Sequence, residues 1–264
     1  MRTDAFIGLI ALGAALTPAI VMLILHRWGR LASVKTREWL LLYGLGALLC
    51  VAVLPRKHIE SAIIMHWPRQ AWAYHLAQVD NEWWEQIGKL VAILLALWLA
   101  RDLRALFLHK RSALAVGYWV GLCYGIGEAL LLAALFTWPQ WGRYFGVQTF
   151  TPYLVGWGYV WERLWTMHIH ALMGGLIGLG LFGLMALHSW RWMVACFVLA
   201  MLYHHLVDGL IIEAAFSPRV AQLLQQAGMW LVPILTVFGL AILAVVAVLA
   251  GKTPGDTAGQ EKTK

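Results

Sequence analysis

The sequence predicts an all-α fold, a polytopic bundle of seven or eight transmembrane helices. Hydrophobic residues make up 61% of the chain and charged residues 12%, with a mean hydropathy of +0.71, whereas soluble domains are about half apolar and a quarter charged. Apolar stretches of about 20 residues, the length that spans a hydrocarbon core, recur along the chain. The net charge of +7 comes from short basic clusters between these stretches, which favours membrane topology over a nucleic-acid partner.

Apolar runs bounded by charge, Pro or Gly define the predicted spans. A basic cluster follows the first run, so we interpret this run as an uncleaved anchor and not as a signal peptide. Residues 55–80 are predicted to hold an interfacial or re-entrant helix. The seven predicted spans are residues 5–25, 38–54, 82–100, 112–137, 157–187, 192–213 and 229–250.

The predicted domain organisation is simple. Residues 1–250 form a single integral membrane helical domain, and its polar motifs lie in a core at 81–213. The polar tail at 251–264 is expected to be disordered and cytoplasmic. Twelve of the twenty Lys and Arg residues lie on one side of the predicted membrane and six on the other. Because the more basic side faces the cytoplasm, we expect the N-terminus outside and the C-terminus in the cytoplasm of a cell-membrane protein.

Ionisable side chains inside predicted spans indicate function, because each is costly to insert into a bilayer. In the third span, Glu85 and Lys89 are one turn apart on one helical face. In the fourth, Tyr124 precedes Glu128 by four residues in an otherwise uncharged run. Alternatively, these residues have only structural roles: Glu85 and Lys89 form an ion pair near the membrane interface, and the Glu128 carboxylate packs between helices. The small residues every four positions are expected to let a neighbouring helix pack closely; they are Gly117, Gly121, Gly125 and Ala129.

Histidines mark the fifth and sixth spans. His168 and His170 point about 200° apart around a helix, so they cannot face one site together. We expect His168 to face the site, because Leu164 and Trp165, one turn earlier, form a wall on its side. In the sixth span His204 and Asp208 are one turn apart, and the carboxylate can orient the imidazole, although a simple packing pair is the alternative.

These side chains have similar predicted depths. At about 1.5 Å per residue, Glu85 and Asp208 lie roughly 5 and 7 Å below the outer helix ends, Glu128 and His204 about 13 Å, and His168 about 16 Å. All five therefore fall in the outer half of the bilayer. Polar groups from four helices at a shared level indicate one common site.

In the identity of these residues and their order along consecutive spans, the chain resembles the PrsW and YhfC families of glutamic-type intramembrane proteases, relatives of the type II CAAX prenyl proteases. Glu85 and Lys89 match a Glu-Glu-x-x-Lys motif in which Gln86 replaces the second Glu. Tyr124 with Glu128 matches the second motif, and His204 with Asp208 matches a final His-x-x-x-Asp. His168 corresponds to the histidine between them, and the Glu-Arg pair ending at Arg163 is similar to YhfC.

The resemblance implies an endopeptidase that cleaves membrane-anchored proteins by glutamate-activated water. We hypothesise that Glu128, sharing a water with Glu85, acts as general base. His168 and His204 would stabilise the oxyanion, and Asp208 would orient His204. Lys89, Tyr124 and Arg163 are supporting residues, and no cofactor is expected. The substitution at Gln86 predicts altered or absent activity if the second Glu is the essential base.

Three alternatives use the same residues. His168, His204 and Glu128 could hold zinc, although no HExxH signature is present. A proton- or solute-coupled transporter or channel also keeps Glu, His and Asp inside the bilayer. His168 and His204 could instead bind haem as axial ligands.

Overall fold

The computed structural model describes residues 3–28, 31, 34–137 and 157–250. Every regular element in these ranges is helical, and no strand occurs among them. Short 3₁₀ turns at 54–56, 101–108 and 228–230 join some of the helices. The helices are α1 (Thr3–Trp28), α2 (Thr36–Val53), α3 (Lys57–His66), α4 (Ala71–Leu99), α5 (Lys110–Thr137), α6 (Trp157–Ala186), α7 (Trp190–Phe216), α8 (Pro218–Ala227) and α9 (Leu231–Leu249).

Five helical stretches in the described ranges are long and apolar enough to cross a membrane. They are Thr36–His66, Lys110–Leu135, Gly158–Ala186, Trp190–Phe216 and Pro218–Leu249. Helix α1 contributes a shorter apolar part, Leu16–Trp28, and α4 does not belong to the five. The all-helical class is therefore confirmed, whereas the predicted number of spans and their orientation remain predictions. The tail at 251–264 lies outside the described residues.

Local sequence explains where the later helices begin and end. Ser189 caps α7 by accepting a hydrogen bond from the backbone N–H of Trp192 at 3.3 Å. Ser217 caps α8 in the same way, and Pro218 occupies the first helical position, where its missing N–H removes no helical bond. Gly228 ends α8 with a positive φ of 52°, a conformation that glycine adopts without steric strain. These residues set the ends of α7 and α8.

The region predicted as an interfacial or re-entrant helix belongs to two elements. Residues 57–66 form α3, which has no buried residue, whereas residues 71–80 are already the first turns of α4. Between α2 and α3, Arg56 reaches across to α4, where its guanidinium lies 2.5 Å from the carboxylate of Asp80 and contacts Asn81. Arg56 thereby ties the α2–α3 turn to α4, close to the polar part of that helix.

Helices α5 and α6 form the centre of the bundle. Their contact is lined by glycines, and a Cβ atom added at Gly121 would overlap the carbonyl oxygen of His170. Likewise, a Cβ at Gly174 would overlap the carbonyl of Gly117, and one at Gly178 would overlap that of Ala113. The predicted small-residue stripe of α5 is confirmed as a close helix–helix contact. This contact sets the distance between the polar side chains that the two helices carry.

Replacing Gly174 with Leu is expected to destabilise the fold by about 1–3 kcal/mol, because the side chain must push α5 and α6 apart. Thermal unfolding of the purified protein in detergent measures the effect. The matched control is Gly44→Leu on α2, where an added Cβ meets no atom within 4 Å. Equal stability of the two variants would contradict the close α5–α6 contact.

Candidate functional site

Side chains from α4, α5, α6 and α7 converge on one cavity of about 500 Å³. Four of the five predicted catalytic residues line it, namely Glu85, Glu128, His204 and Asp208. The supporting residues Tyr124 and Arg163 line it as well, and Lys89 lies directly behind Glu85. The predicted convergence of acidic groups and a histidine from separate helices is therefore present in the structure.

On α6, His170 reaches the cavity and His168 does not, so the prediction that His168 faces the site was wrong. His168 lies outside the cavity lining, and its Nδ1 is 2.8 Å from the hydroxyl of Tyr118. The bulky neighbours that favoured His168 pack elsewhere: Trp165 stacks edge-on against Trp161, which in turn contacts Trp230. A wall of large residues therefore marked a packing face of α6 and not the site.

Glu128 is held by two groups of α6. Its Oε1 accepts from the Arg163 guanidinium at 3.0 Å, and its Oε2 lies 2.5 Å from His170 Nε2. Arg163 also contacts the carboxylate of its neighbour Glu162. Both oxygens of Glu128 therefore lie close to a nitrogen of α6, but only Oε1 makes a hydrogen bond, since the contact of Oε2 with His170 lacks hydrogen-bond geometry.

One carboxylate oxygen of Glu85 makes a hydrogen bond, and the other lies near several nitrogens without forming one. Its Oε1 accepts from Asn81 Nδ2 at 2.9 Å. Its Oε2 makes no hydrogen bond and lies 3.6 Å from Lys89 Nζ, 3.7 Å from His170 Nδ1 and 3.9 Å from His204 Nε2. These separations are too long for direct hydrogen bonds and suit a bridging water.

Lys89 carries the positive charge beside Glu85 at a position with no solvent exposure. Its ammonium lies 3.4 Å from the backbone carbonyl of Glu85 and 4.2 Å from the ring centre of Tyr124. The predicted Glu85–Lys89 pair on one helical face is thus present, and it is buried among protein atoms. The buried charge of Lys89 is compensated by the carboxylate and the carbonyl of Glu85 and by the face of the Tyr124 ring.

His204 is oriented from both ring nitrogens. Its Nε2 lies 3.2 Å from Asp208 Oδ2, and its Nδ1 lies 3.2 Å from the side-chain nitrogen of Gln86. Because an amide N–H donates, Nδ1 acts as the acceptor and Nε2 carries the proton toward Asp208 and the cavity. Gln78 in turn donates to Asp208 at 2.7 Å. The predicted orientation of His204 by Asp208 agrees with this geometry.

A zinc site was the alternative use of these residues. The set His168, His204 and Glu128 does not come together, since His168 lies elsewhere. Among the described residues, Glu85, Glu128 and His170 each offer a ligand atom within 4.8 Å of the others. Ligand atoms on one tetrahedral zinc lie roughly 3.4 Å apart, so His170 Nε2 and Glu128 Oε2, which are 2.5 Å apart, would have to separate if both bound one ion. The Lys89 ammonium would also place a positive charge next to such an ion.

The predicted haem alternative is not supported either, because His168 and His204 do not face each other across one space. His168 pairs with Tyr118 on α5, whereas His204 faces Glu85.

The cavity is apolar on the side away from these groups. Its wall comes from α5, α7 and α9, and Tyr203 on α7 fastens α9 by donating to the carbonyl of Leu235 at 2.8 Å. Cys50 of α2 also lines the cavity. The apolar wall consists of Leu131, Leu132, Val207, Ile211, Ile212, Leu231, Val232 and Leu235.

Sequence reasoning gave no site role to three residues, His170, Gln78 and Asn81, and treated Gln86 only as a departure from a motif. For His170 a signal existed, because Arg163, Thr166 and His170 stand at i, i+3 and i+7 and form a polar stripe. All three line the cavity. The amide side chains gave no comparable signal, since uncharged polar residues are common at helix ends.

Comparisons with protein-family models, with curated proteins and with solved structures give no match for this chain.

Replacing Lys89 with Met is expected to destabilise the protein by about 3–5 kcal/mol, because it leaves the Glu85 carboxylate buried without its cation. Unfolding in detergent by heat or denaturant measures this loss. The double variant E85Q/K89M is expected to regain part of the stability, since it removes both charges. No recovery in the double variant would show that the two side chains are not energetically coupled.

Proposed function

We propose that this protein is an intramembrane endopeptidase that hydrolyses peptide bonds of membrane-anchored proteins with a glutamate-activated water. The observation that carries the proposal is the position of His170 between two carboxylates, with Nε2 against Glu128 and Nδ1 facing the free oxygen of Glu85. A peptide hydrolase needs a base, donors for the oxyanion and a cavity that admits an apolar chain. The described residues supply all three.

In this mechanism a water lies beside Glu85 Oε2 and His170 Nδ1, which are 3.7 Å apart, and hydrogen-bonds both atoms from one side. The contacts favour Glu85 as the base, because Glu128 lies against the Arg163 guanidinium at 3.0 Å and His170 Nε2 at 2.5 Å, whereas Lys89 Nζ is 3.6 Å from Glu85 Oε2. Glu128 then orients His170, which reverses the division of roles that the sequence suggested. Glu85 takes the proton as the water attacks the carbonyl carbon, and later delivers this proton to the leaving amine.

His204 and Lys89 complete the proposed mechanism. When substrate is bound, the Nε2–H of His204 turns from Asp208 to the oxyanion that develops on the carbonyl oxygen, while Gln86 holds Nδ1 as the acceptor. Lys89 places its positive charge 3.6 Å from Glu85 Oε2, beside the proposed base. Gln86 orients His204 through its amide, a task that requires no ionisation. Glutamine at this position is therefore compatible with activity.

The membrane topology belongs to the same proposal. With the N-terminus outside, seven spans and a cytoplasmic C-terminus, the cavity lies in the outer half of a bilayer, as in a bacterial cytoplasmic membrane. Its apolar wall suits a hydrophobic segment of a substrate protein. Cleavage is then expected near the outer boundary of a membrane-anchored protein, with no nucleic acid involved.

Replacing Glu85 or Glu128 with Gln is expected to lower cleavage by about 10²–10⁴-fold, the usual contribution of an acid–base group. Purified protein reconstituted with single-span reporter proteins, followed by mass spectrometry of the fragments, measures the rate. Undiminished cleavage in E85Q would remove this residue from the mechanism. Wild-type protein that cleaves no reporter but moves protons or solutes into vesicles would favour the transporter alternative.

His170→Gln and His168→Gln form a matched pair on one helix. We expect a loss of cleavage comparable to E128Q for H170Q, because Glu128 then has no imidazole to orient. H168Q is expected to retain most activity, since His168 contacts Tyr118 outside the cavity. The opposite ranking in the same assay would restore the sequence-based choice of His168.

Cleavage is expected to persist after treatment with a strong chelator, because protein side chains alone supply the proposed base and donors. The reporter assay before and after chelation measures this. Loss of activity that zinc restores would instead support the metal-dependent alternative.

A further inference from the structure

A second polar cluster joins α4 and α7 outside the cavity. It consists of Glu213 and His205 on α7 and of His75 and Glu82 on α4. None of these four residues lines the cavity, and the proposed hydrolysis uses none of them. Their side chains are connected in series, from the end of α7 to the middle of α4.

Each connection in the series has hydrogen-bond length. Glu213 Oε1 lies 2.9 Å from His75 Nε2, and His75 Nδ1 lies 3.1 Å from His205 Nε2. His205 Nδ1 then lies 2.9 Å from Glu82 Oε1 and 3.1 Å from Oε2. Both nitrogens of both imidazoles are therefore engaged, each ring linking one neighbour to the next.

This connectivity suits proton transfer. A neutral imidazole donates from one nitrogen and accepts at the other, so two rings in series can align all three hydrogen bonds in one direction. A proton that arrives at the accepting nitrogen of a ring can be passed on from the opposite nitrogen. Hydrogen bonds that only held α4 and α7 together would not need to use both nitrogens of both rings.

Solvent exposure is highest at the Glu213 end of the series and lowest at the Glu82 end. The side chain of Glu213 is 50% exposed, those of His75 and His205 are 25% and 31% exposed, and that of Glu82 is 1% exposed. A buried carboxylate cannot exchange its proton with water directly and needs a partner that can. For Glu82 that partner is His205.

We propose that Glu213, His75, His205 and Glu82 form a proton path between the exposed end of α7 and the buried Glu82 carboxyl. The protonated Glu213 carboxyl transfers its proton to His75 Nε2, and His75 Nδ1 releases its own to His205 Nε2. His205 Nδ1 then transfers its proton to Glu82. Only protons are transferred, and no residue is oxidised or reduced. The same steps in reverse return the proton from Glu82 to Glu213. This path goes beyond the proposed hydrolysis and does not depend on it.

The inner end of the path lies beside the catalytic cluster. Gln78, one turn before Glu82 on α4, donates to Asp208 at 2.7 Å. An amide does not release its proton, so the proton stops at Glu82. The ionisable groups facing this end are His75 and Glu85 on α4 and His204 and Asp208 on α7. Protonation of Glu82 therefore changes the charge beside the catalytic cluster.

Time-resolved infrared spectroscopy after a light-triggered pH drop tests the path in the full-length protein in detergent. The carboxyl band that disappears in E82Q identifies Glu82. We expect H205F to slow the appearance of this band by about 100-fold, the contribution of a positioned proton donor. H75F and E213Q are expected to slow it less, because His205 is itself partly exposed.

His66→Phe is the matched control, because His66 on α3 stacks against Trp67 and lies outside the path. Its Glu82 band is expected to form at the wild-type rate. Wild-type rates in both H75F and H205F would overturn the proposal, as would a Glu82 that never becomes protonated in the accessible pH range. If H205F fails to fold by circular dichroism, H75F and E213Q decide the outcome.

Discussion

The close backbone contact of α5 and α6 is the constraint on which the site depends. Glycines on both helices let the backbones touch, and this contact brings Glu128 of α5 beside His170 of α6. A wider spacing would leave the carboxylate and the imidazole too far apart to pair. The rest of the cavity is lined by α2, α3, α4, α7 and α9.

Charge balance is the second constraint, because the cluster is surrounded by apolar residues. Glu85 is matched by Lys89, whereas Arg163 is shared between Glu128 and Glu162. Three carboxylates thus have two cations, so the neighbouring histidines are needed as partners as well. A cluster with fewer cations would leave buried carboxylate charge uncompensated.

Much of this arrangement could be predicted from the sequence, and the failures have physical reasons. Charged residues in apolar runs must face a protein interior, which is why Glu85, Glu128, His204 and Asp208 converge as expected. His168 was chosen from its bulky neighbours, but large residues pack against other helices, while a site keeps smaller polar neighbours such as Thr166. The start of α4 at Ala71 was missed, because its first turns interrupt their apolar residues with His75, Gln78 and Asp80 and so form no continuous apolar run. Contacts of Gln86 depend on tertiary packing that no local pattern encodes.

The size of the cavity restricts what can enter it. One turn of an α-helix with side chains, about 10 Å wide and 5.4 Å long, fills roughly 400 Å³, and the cavity holds about 500 Å³. An intact membrane-spanning helix is therefore too large to lie inside, and a few residues are the most that fit. Under the proposed hydrolysis, those residues must leave helical geometry to expose a carbonyl group. The proposal then implies that segments which unwind easily, for instance next to glycine or proline, are cut before equally hydrophobic segments that form rigid helices.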